Sequence, residues 1–283
     1  MIRAFITGWP VEHSLSPLIH GHWLKRHGID GSYERLARSP EEIGGFLTDL
    51  PGSQWIGGNV TIPHKITAFN ACALLDDAAR AIGAVNTLWI ENGKLAGANT
   101  DAHGFMANLD SRVPGWDTGA NALVLGAGGG ARAIIHSLVS RGFSDVAIAN
   151  RTPERAEALA SHFAGPARPL AWDRLVGEIP RADLIVNTTS LGMKGQPALE
   201  IDLTNSQPET IVTDIVYTPL ETPLLVQARD HGLKTVDGLG MLLHQAVPGF
   251  ERWFGHRPTV DEELRGVLLA ELEARSRGGG RKS

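Results

Sequence analysis

Cysteine is nearly missing from this 283-residue chain. Cys72 stands alone, so no disulfide can close within it, and a reducing, cytoplasmic setting is expected. No apolar run approaches the length of a membrane span, and Met1 to Gly8 reads as a short strand rather than a secretory leader. Excess charge is small: a formal net charge of −5 argues against nucleic acid or another polyanion as the main partner. The eleven histidines form no H-x-x-x-H or H-E-x-x-H array, and one cysteine offers no thiolate set, so no metal centre is expected. His13, His20 and His64 read as packing or capping residues. Internal repeats and low-complexity segments are also missing, and the basic, glycine-rich stretch from Arg275 to Ser283 reads as a frayed end. What remains is ordinary: 42% hydrophobic and 20% charged residues, in a chain longer than one hydrophobic core usually fills. Two domains are therefore expected.

Strands and helices alternate along the chain, which argues for parallel α/β architecture. The patterns predict strands at 2–7, 32–37, 55–61, 84–90, 94–99, 122–125, 145–149, 183–187, 211–215 and 234–236. Helices are predicted at 17–27, 40–49, 64–71, 102–110, 130–141, 153–163, 222–231, 240–253 and 260–275. Asn92-Gly93 between two strands signals a tight hairpin. A boundary falls near residue 101, where a second strand–helix series begins.

That second series opens on Leu123-Val-Leu-Gly-Ala-Gly-Gly-Gly-Ala-Arg-Ala133, a strand, a glycine turn and a helix start in succession. Gly126, Gly128 and Ala131 fit the G-x-G-x-x-G/A spacing of a dinucleotide-binding turn. Glycine lets the backbone approach a pyrophosphate, whose charge then meets the N–H groups of the next helix. A second strand ends in Asn150-Arg151-Thr152-Pro153-Glu154-Arg155. An NAD site carries Asp or Glu at this distance, whereas arginine suits the 2′-phosphate of NADP. Thr152 as N-cap, Pro153 at the first helical position and two solvated arginines is the plainer reading, and both can hold together.

The first half places polar residues at strand ends and turns. Ser14 and Ser16 flank a helix N-terminus; Ser16 before Pro17 reads as its N-cap, while Ser14 has no capping role to explain it. Two hydroxyls there would suit a carboxylate. Asn59 and Thr61 fall on one face of a strand, Val60 and Ile62 on the other. Lys65 then lands in the first turn of a helix, where the macrodipole disfavours a cation. Asp101 caps the next helix or pairs with Lys65.

Taken in order, Ser14 to Pro17, Asn59 to Lys65, Ile82 to Thr87, Asn99 to Asp101 with Gly104 and Phe105, Gly126 to Arg132, Asn150 to Thr152, Asn187 to Met193, Tyr217 to Pro223 and Asp237 to Ala246 resemble the shikimate dehydrogenase family across nearly the whole chain. Gly21 departs from the family's usual Asn, away from the chemical positions. The resemblance implies NADP-dependent reduction of 3-dehydroshikimate to shikimate on the route to chorismate and aromatic amino acids. Quinate or aminoshikimate dehydrogenase, or a non-catalytic NADP or metabolite sensor, are the alternatives; Arg151 and Arg155 lean against NAD-preferring quinate enzymes. It implies two α/β domains: a substrate domain of 1–101 plus 238–283, whose C-terminal helices return to it, and a Rossmann-type NADP domain of 102–237. The active site would lie in the cleft between them.

By the same resemblance Ser14, Ser16, Thr61 and Tyr217 would hold the substrate carboxylate, with Asn59 shaping the pocket beside it. Asn86, Asp101, Lys65 and Gln245 would hold the ring hydroxyls. NADP would meet Gly126, Ala127, Gly128, Gly129, Gly130, Ala131, Asn150, Arg151, Thr152, Arg155, Thr188, Thr189, Ser190 and Ile215, with Gly238 and Met241 on the nicotinamide side. Lys65, oriented by Asp101, would give a proton or charged hydrogen bond to the carbonyl oxygen, a role that suits a lysine of ordinary pKa. The partners implied are a small molecule and neither nucleic acid nor membrane; a homodimer is compatible with the resemblance.

Overall fold

A computed structural model describes residues 1–278, and the chain divides into two compact units: Met1–Thr100 together with the chain from Leu243 onward, and Asp101–Leu242. Among the described residues no helix is long and apolar enough to cross a membrane.

The first unit begins β1 (Ile2–Gly8), α1 (Ser16–Arg26), β2 (Gly31–Ala37), α2 (Ile43–Asp49), β3 (Gly57–Val60), α3 (Lys65–Ala71), β4 (Leu74–Leu75), α4 (Asp77–Ile82), β5 (Thr87–Glu91) and β6 (Lys94–Ala98). Its sheet runs β2-β1-β3-β5-β6-β4 and is mixed: β1 pairs in parallel with β2 and β3, β5 is antiparallel to both neighbours, and β4 is parallel to β6. The cause is the predicted hairpin. Asn92 and Gly93 both take positive φ (53° and 73°), the backbone of a two-residue turn that matches strand twist.

The second unit holds α5 (Asp101–Arg112), β7 (Asn121–Leu125), α6 (Gly129–Ser140), β8 (Asp145–Ala149), α7 (Pro153–Phe163), β9 (Ala167–Leu170), α8 (Leu175–Glu178), β10 (Leu184–Asn187), β11 (Ile211–Asp214), α9 (Pro223–Asp230) and β12 (Lys234–Val236). Every pairing in its sheet is parallel, in the order β12-β11-β10-β7-β8-β9. That is the doubly wound order, whose direction reverses between β7 and β10. Alternate residues face opposite layers. Ala122, Val124, Val146, Ile148, Leu184 and Val186 pack with Phe105, Leu109, Ile134 and Leu138 on one side. Leu123, Leu125, Ala147, Ala149, Ile185 and Val212 pack with Leu175, Leu224 and Ala228 on the other. Burial of both faces is why these strands read as continuous apolar runs.

The chain closes with α10 (Leu239–Phe254) and α11 (Glu262–Gly278). The division between units falls inside α10, after Leu242. In the first unit the indole of Trp253 donates to the Leu88 carbonyl (2.9 Å), and a side chain at Gly57 would strike that same ring. Phe5, Val60, Val85 and Leu88 line the opposite face with Ile43, Leu47, Ala68 and Ala79.

Several elements escape the sequence patterns. Helix α4 has six residues, too few to show a period; Asp76 caps it by accepting from the Ala79 amide (2.7 Å), and left-handed Gly83 ends it. β4 is two residues long. β9 carries Pro169, tolerable because it is the sheet's edge strand. Helix α8 is a four-residue turn. Strand pairing in the 84–90 segment starts only at Thr87, and the strand drawn to 61 ends at Val60. Residues 275–278 are helical rather than frayed: Arg275 bonds Glu271 (2.6 Å) and the His13 carbonyl (2.8 Å). The rest of that tail, 279–283, lies outside the described residues.

Candidate functional sites in the two units

In the first unit a buried polar network crosses the sheet. The Tyr33 hydroxyl donates to Asn59 Oδ1 at 2.5 Å, and Asn59 Nδ2 donates to the Asn86 carbonyl (3.0 Å) and Thr87 Oγ1 (3.1 Å). Asn86 Oδ1 accepts from the Thr100 amide (2.8 Å) and the Thr87 hydroxyl (3.0 Å). Asn86 Nδ2 lies 3.5 Å from Gln245 Oε1 on α10. Asn59, Asn86, Thr87, Thr100 and Gln245 are all buried, where an unmet polar group would be costly. Burial holds the Tyr33 phenol well above its usual pKa, against hydrogen bonds from Ser16 and Asn59, so Tyr33 remains a neutral donor. His20 stacks on Tyr33 (3.9 Å) and is fully buried with neither ring nitrogen hydrogen-bonded among the described residues; desolvation drops its pKa to about 3.

Helix α1 corrects the reading of the two serines. Its N-cap is Leu15, without a side-chain bond, and Ser16 is already helical. Ser14 Oγ instead accepts the Ser16 amide (3.2 Å), so the serine without an evident capping role satisfies a helix-start donor. Thr61 lies just past β3, its amide on the Thr7 carbonyl (2.8 Å). Lys65 is the first residue of α3 and half-buried, and its carbonyl accepts from the Val85 amide (3.0 Å). His64 packs and bonds rather than ligating: its Nε2 meets the Arg38 carbonyl at 2.7 Å.

In the second unit Asp101 begins α5, inside its first turn rather than ahead of it. The glycine turn follows β7. Gly126 has φ of 109°, and a side chain there would strike Thr188 Oγ1. Gly128 is the N-cap of α6 and brings no side chain to its amides; added atoms at Gly128 or Gly129 would meet only open space. Those amides at a helix start suit an anion. Gly130 abuts the tip of Ile215, and Ala131 is buried in the core. The Ala127 amide donates to Asn150 Oδ1 (3.2 Å), which ties the turn to the end of β8. Thr152 is the N-cap of α7, with Pro153 in the first turn and no side-chain bond. Arg151 and Arg155 are exposed, and among the described residues neither has an ion-pair partner.

Across the switch point, Thr188 returns its amide and hydroxyl to the Leu125 carbonyl, both at 2.8 Å. Thr189 is fixed by Asn187 through its amide (3.0 Å) and hydroxyl (2.7 Å), and Ser190 lies on the same turn. The Ile215 amide bonds the Asn187 carbonyl (3.1 Å), and Gly238 packs so tightly on the Ile215 backbone that no side chain fits. Met241 and Ile215 each pack against the core, and Tyr217 is half-buried in the segment after β11. The sequence reading missed the parts played by Tyr33, Thr87, Thr100, Asp214 and Thr222. Thr87, Thr100 and Thr222 lie inside the segments that resemble the family, and Tyr33 is one of only two tyrosines in the chain.

Residues 6–88 match the family model for the shikimate dehydrogenase substrate binding domain, 111–215 that for shikimate / quinate 5-dehydrogenase, and 238–262 that for the shikimate 5'-dehydrogenase C-terminal domain. The chain is 57% identical to a shikimate dehydrogenase (NADP(+)) of Brucella abortus over 95% of this chain and 94% of that one. It is 55% identical to the protein of the same name from Azorhizobium caulinodans, over 99% and 100%. The crystal structure of shikimate 5-dehydrogenase from Thermus thermophilus in complex with NADP(H) and shikimate superposes with a TM-score of 0.82 at 35% identity, covering 98% of this chain and 99% of that one.

Proposed function

This chain belongs to the shikimate dehydrogenase family, and from that membership we propose that it catalyses the reversible, NADP-dependent reduction of 3-dehydroshikimate to shikimate, in the biosynthesis of chorismate and aromatic amino acids. Full-length likeness to NADP(+)-dependent relatives is the observation that carries the reading. The residues present fit the cofactor. A glycine N-cap with open space around it accepts a pyrophosphate, and two exposed arginines without carboxylate partners accept a 2′-phosphate.

When bound, the cofactor supplies a hydride for the substrate carbonyl. The chain's own residues must orient the substrate and neutralise the charge that develops on its oxygen. Lys65 is proposed to supply the proton or a charged hydrogen bond there, with Asp101 as the second catalytic residue. Ser14, Ser16, Thr61 and Tyr217 are proposed for the carboxylate, Asn86 and Gln245 for ring hydroxyls, and Asn59 for the wall beside them. Supporting this, Asn59, Asn86 and Gln245 are held rigid by the buried network, which costs little further ordering on binding. Cytoplasmic residence and a homodimer complete the proposal, the latter read by light scattering of the purified protein.

The deciding assay follows the NADPH absorbance band with shikimate, quinate and aminoshikimate as separate substrates. Shikimate should be oxidised with the highest kcat/KM and with NADP over NAD. Equal or faster quinate or aminoshikimate turnover, or none with any of the three, would overturn the reading.

A further inference from the structure

Strand β10, at the switch point, and its outer neighbour β11 end on two fully buried polar residues, Asn187 and Asp214, which lie side by side in register. Asp214 Oδ1 accepts from Asn187 Nδ2 (3.0 Å) and the Val216 amide (2.9 Å). Its Oδ2 accepts from the Thr222 hydroxyl at 2.7 Å. On the far side, Asn187 Oδ1 receives both donors of Thr189, while Nδ2 also reaches the Leu191 carbonyl (3.2 Å). Thr189 Oγ1 in turn accepts the Leu191 amide (3.1 Å). A continuous chain of bonds thus runs from Thr222 through Asp214 and Asn187 into the turn at Thr188–Ser190.

The choice of side chains has a physical reason. Three donors converge on Asp214, and an ionised carboxylate is the side chain that accepts from all of them without a proton left over. An acceptor-only neighbour also gives the Asn187 carboxamide a single orientation. Its NH2 must face Asp214 and Leu191, so its oxygen must face Thr189. An amide at position 214 would satisfy either orientation, and a flipped Asn187 would turn its NH2 against the Thr189 amide.

We propose that Asp214 is a positioning residue for the cofactor: through Asn187 and Thr222 it fixes the Thr188–Ser190 turn at the switch point and the start of the Ile215–Val216 segment after β11. The inference rests on the reading above that Thr188, Thr189, Ser190 and Ile215 meet NADP. It touches neither cofactor nor substrate itself.

The test compares Asp214→Asn, Thr222→Val and Thr222→Ser with Arg151→Ala/Arg155→Ala, reading KM for NADPH, KM for 3-dehydroshikimate, and NADPH affinity by equilibrium fluorescence. Asp214→Asn should raise the NADPH KM and weaken NADPH affinity about tenfold while the 3-dehydroshikimate KM stays within about twofold. Thr222→Val should shift the same way by less, and Thr222→Ser, which keeps the hydroxyl, should restore the parent values. A general loss of folded protein would move both KM values together or neither, and that result overturns the inference. Should Asp214→Asn fail to fold, the Thr222 pair decides: no difference between Val and Ser in NADPH affinity refutes it. If the double arginine variant loses NADPH affinity and the Asp214 and Thr222 variants do not, the positioning role is wrong and the nucleotide site stands. If none of the variants weakens NADPH, the nucleotide site itself has been misread.

Discussion

In the sheet of the second unit, the strands at the switch point hand over to backbone: a glycine with φ of 109°, a helix capped by a bare glycine, and the Leu125 carbonyl that accepts from Thr188. In the sheet of the first unit they hand over to side chains, with Asn59, Asn86 and Thr87 locked to one another beneath the surface. A phosphate is met by amides that every residue carries, so that site needs space and a few cations. The hydroxylated ring acid proposed as substrate would need donors and acceptors at chosen points, and thus particular side chains held still. Legibility follows from the same difference. Amide sites announce themselves by glycine spacing, whereas side-chain sites are scattered along the chain.

Substitutions in each unit should separate the two modes. Lys65→Ala should lower kcat by about 10²–10⁴-fold with only a modest change in substrate KM, as expected for loss of a general acid. Steady-state kinetics within threefold of the parent, by about half a log unit, would remove Lys65 from the chemistry. Arg151→Ala with Arg155→Ala should cost about a hundredfold in kcat/KM for NADPH and far less for NADH, since each charged hydrogen bond is worth about 1.5–3 kcal/mol. Equal losses with the two cofactors would break the phosphate assignment.

Stability should respond to pH through the side-chain unit. The His20 pKa is depressed to about 3 by burial. Between its ordinary value near 6.5 and about 3 the unfolded chain holds a proton that the folded one does not. Stability is therefore full above this window and falls as pH drops through it, by up to about 5 kcal/mol. Asp214, whose pKa burial raises, acts in the opposite sense. Urea unfolding across this range should show the acid loss in the parent and a flatter profile in His20→Phe. An unchanged profile would place the acid sensitivity elsewhere. Asn59→Ala should cost about 2–4 kcal/mol at neutral pH, because the Tyr33 hydroxyl and Thr87 lose a buried partner. The smallest effects belong to the backbone unit. Gly126→Ala should cost at least about 1–2 kcal/mol, because its φ is positive and the added carbon strikes Thr188 Oγ1. Gly129→Ala should leave the unfolding midpoint nearly unchanged, since nothing lies near the added atom.

The fold class could be read from strand–helix alternation because burial on two faces writes long apolar strands and helical periods into the sequence. The hairpin at Asn92-Gly93 was equally plain, because few residue pairs accept its backbone. Helix α4 and strand β9 were not, being too short or too proline-marked to carry a period. Ser14 and Ser16 exchanged roles because the position of a helix start, to within two residues, depends on what packs above it.

Local sequence determined the glycine turn, the arginines after β8 and the placing of Lys65 at a helix start, since each rests on neighbours within a few residues. Tertiary structure alone decided that Tyr33 meets Asn59, that Asn86 meets Gln245, and that Asp214 steers Asn187. Those pairs lie 26, 159 and 27 positions apart. No local pattern encodes such a bond. It exists because parallel strands and a returning helix bring distant residues side by side, and because a buried polar atom must find a partner wherever the fold has put one.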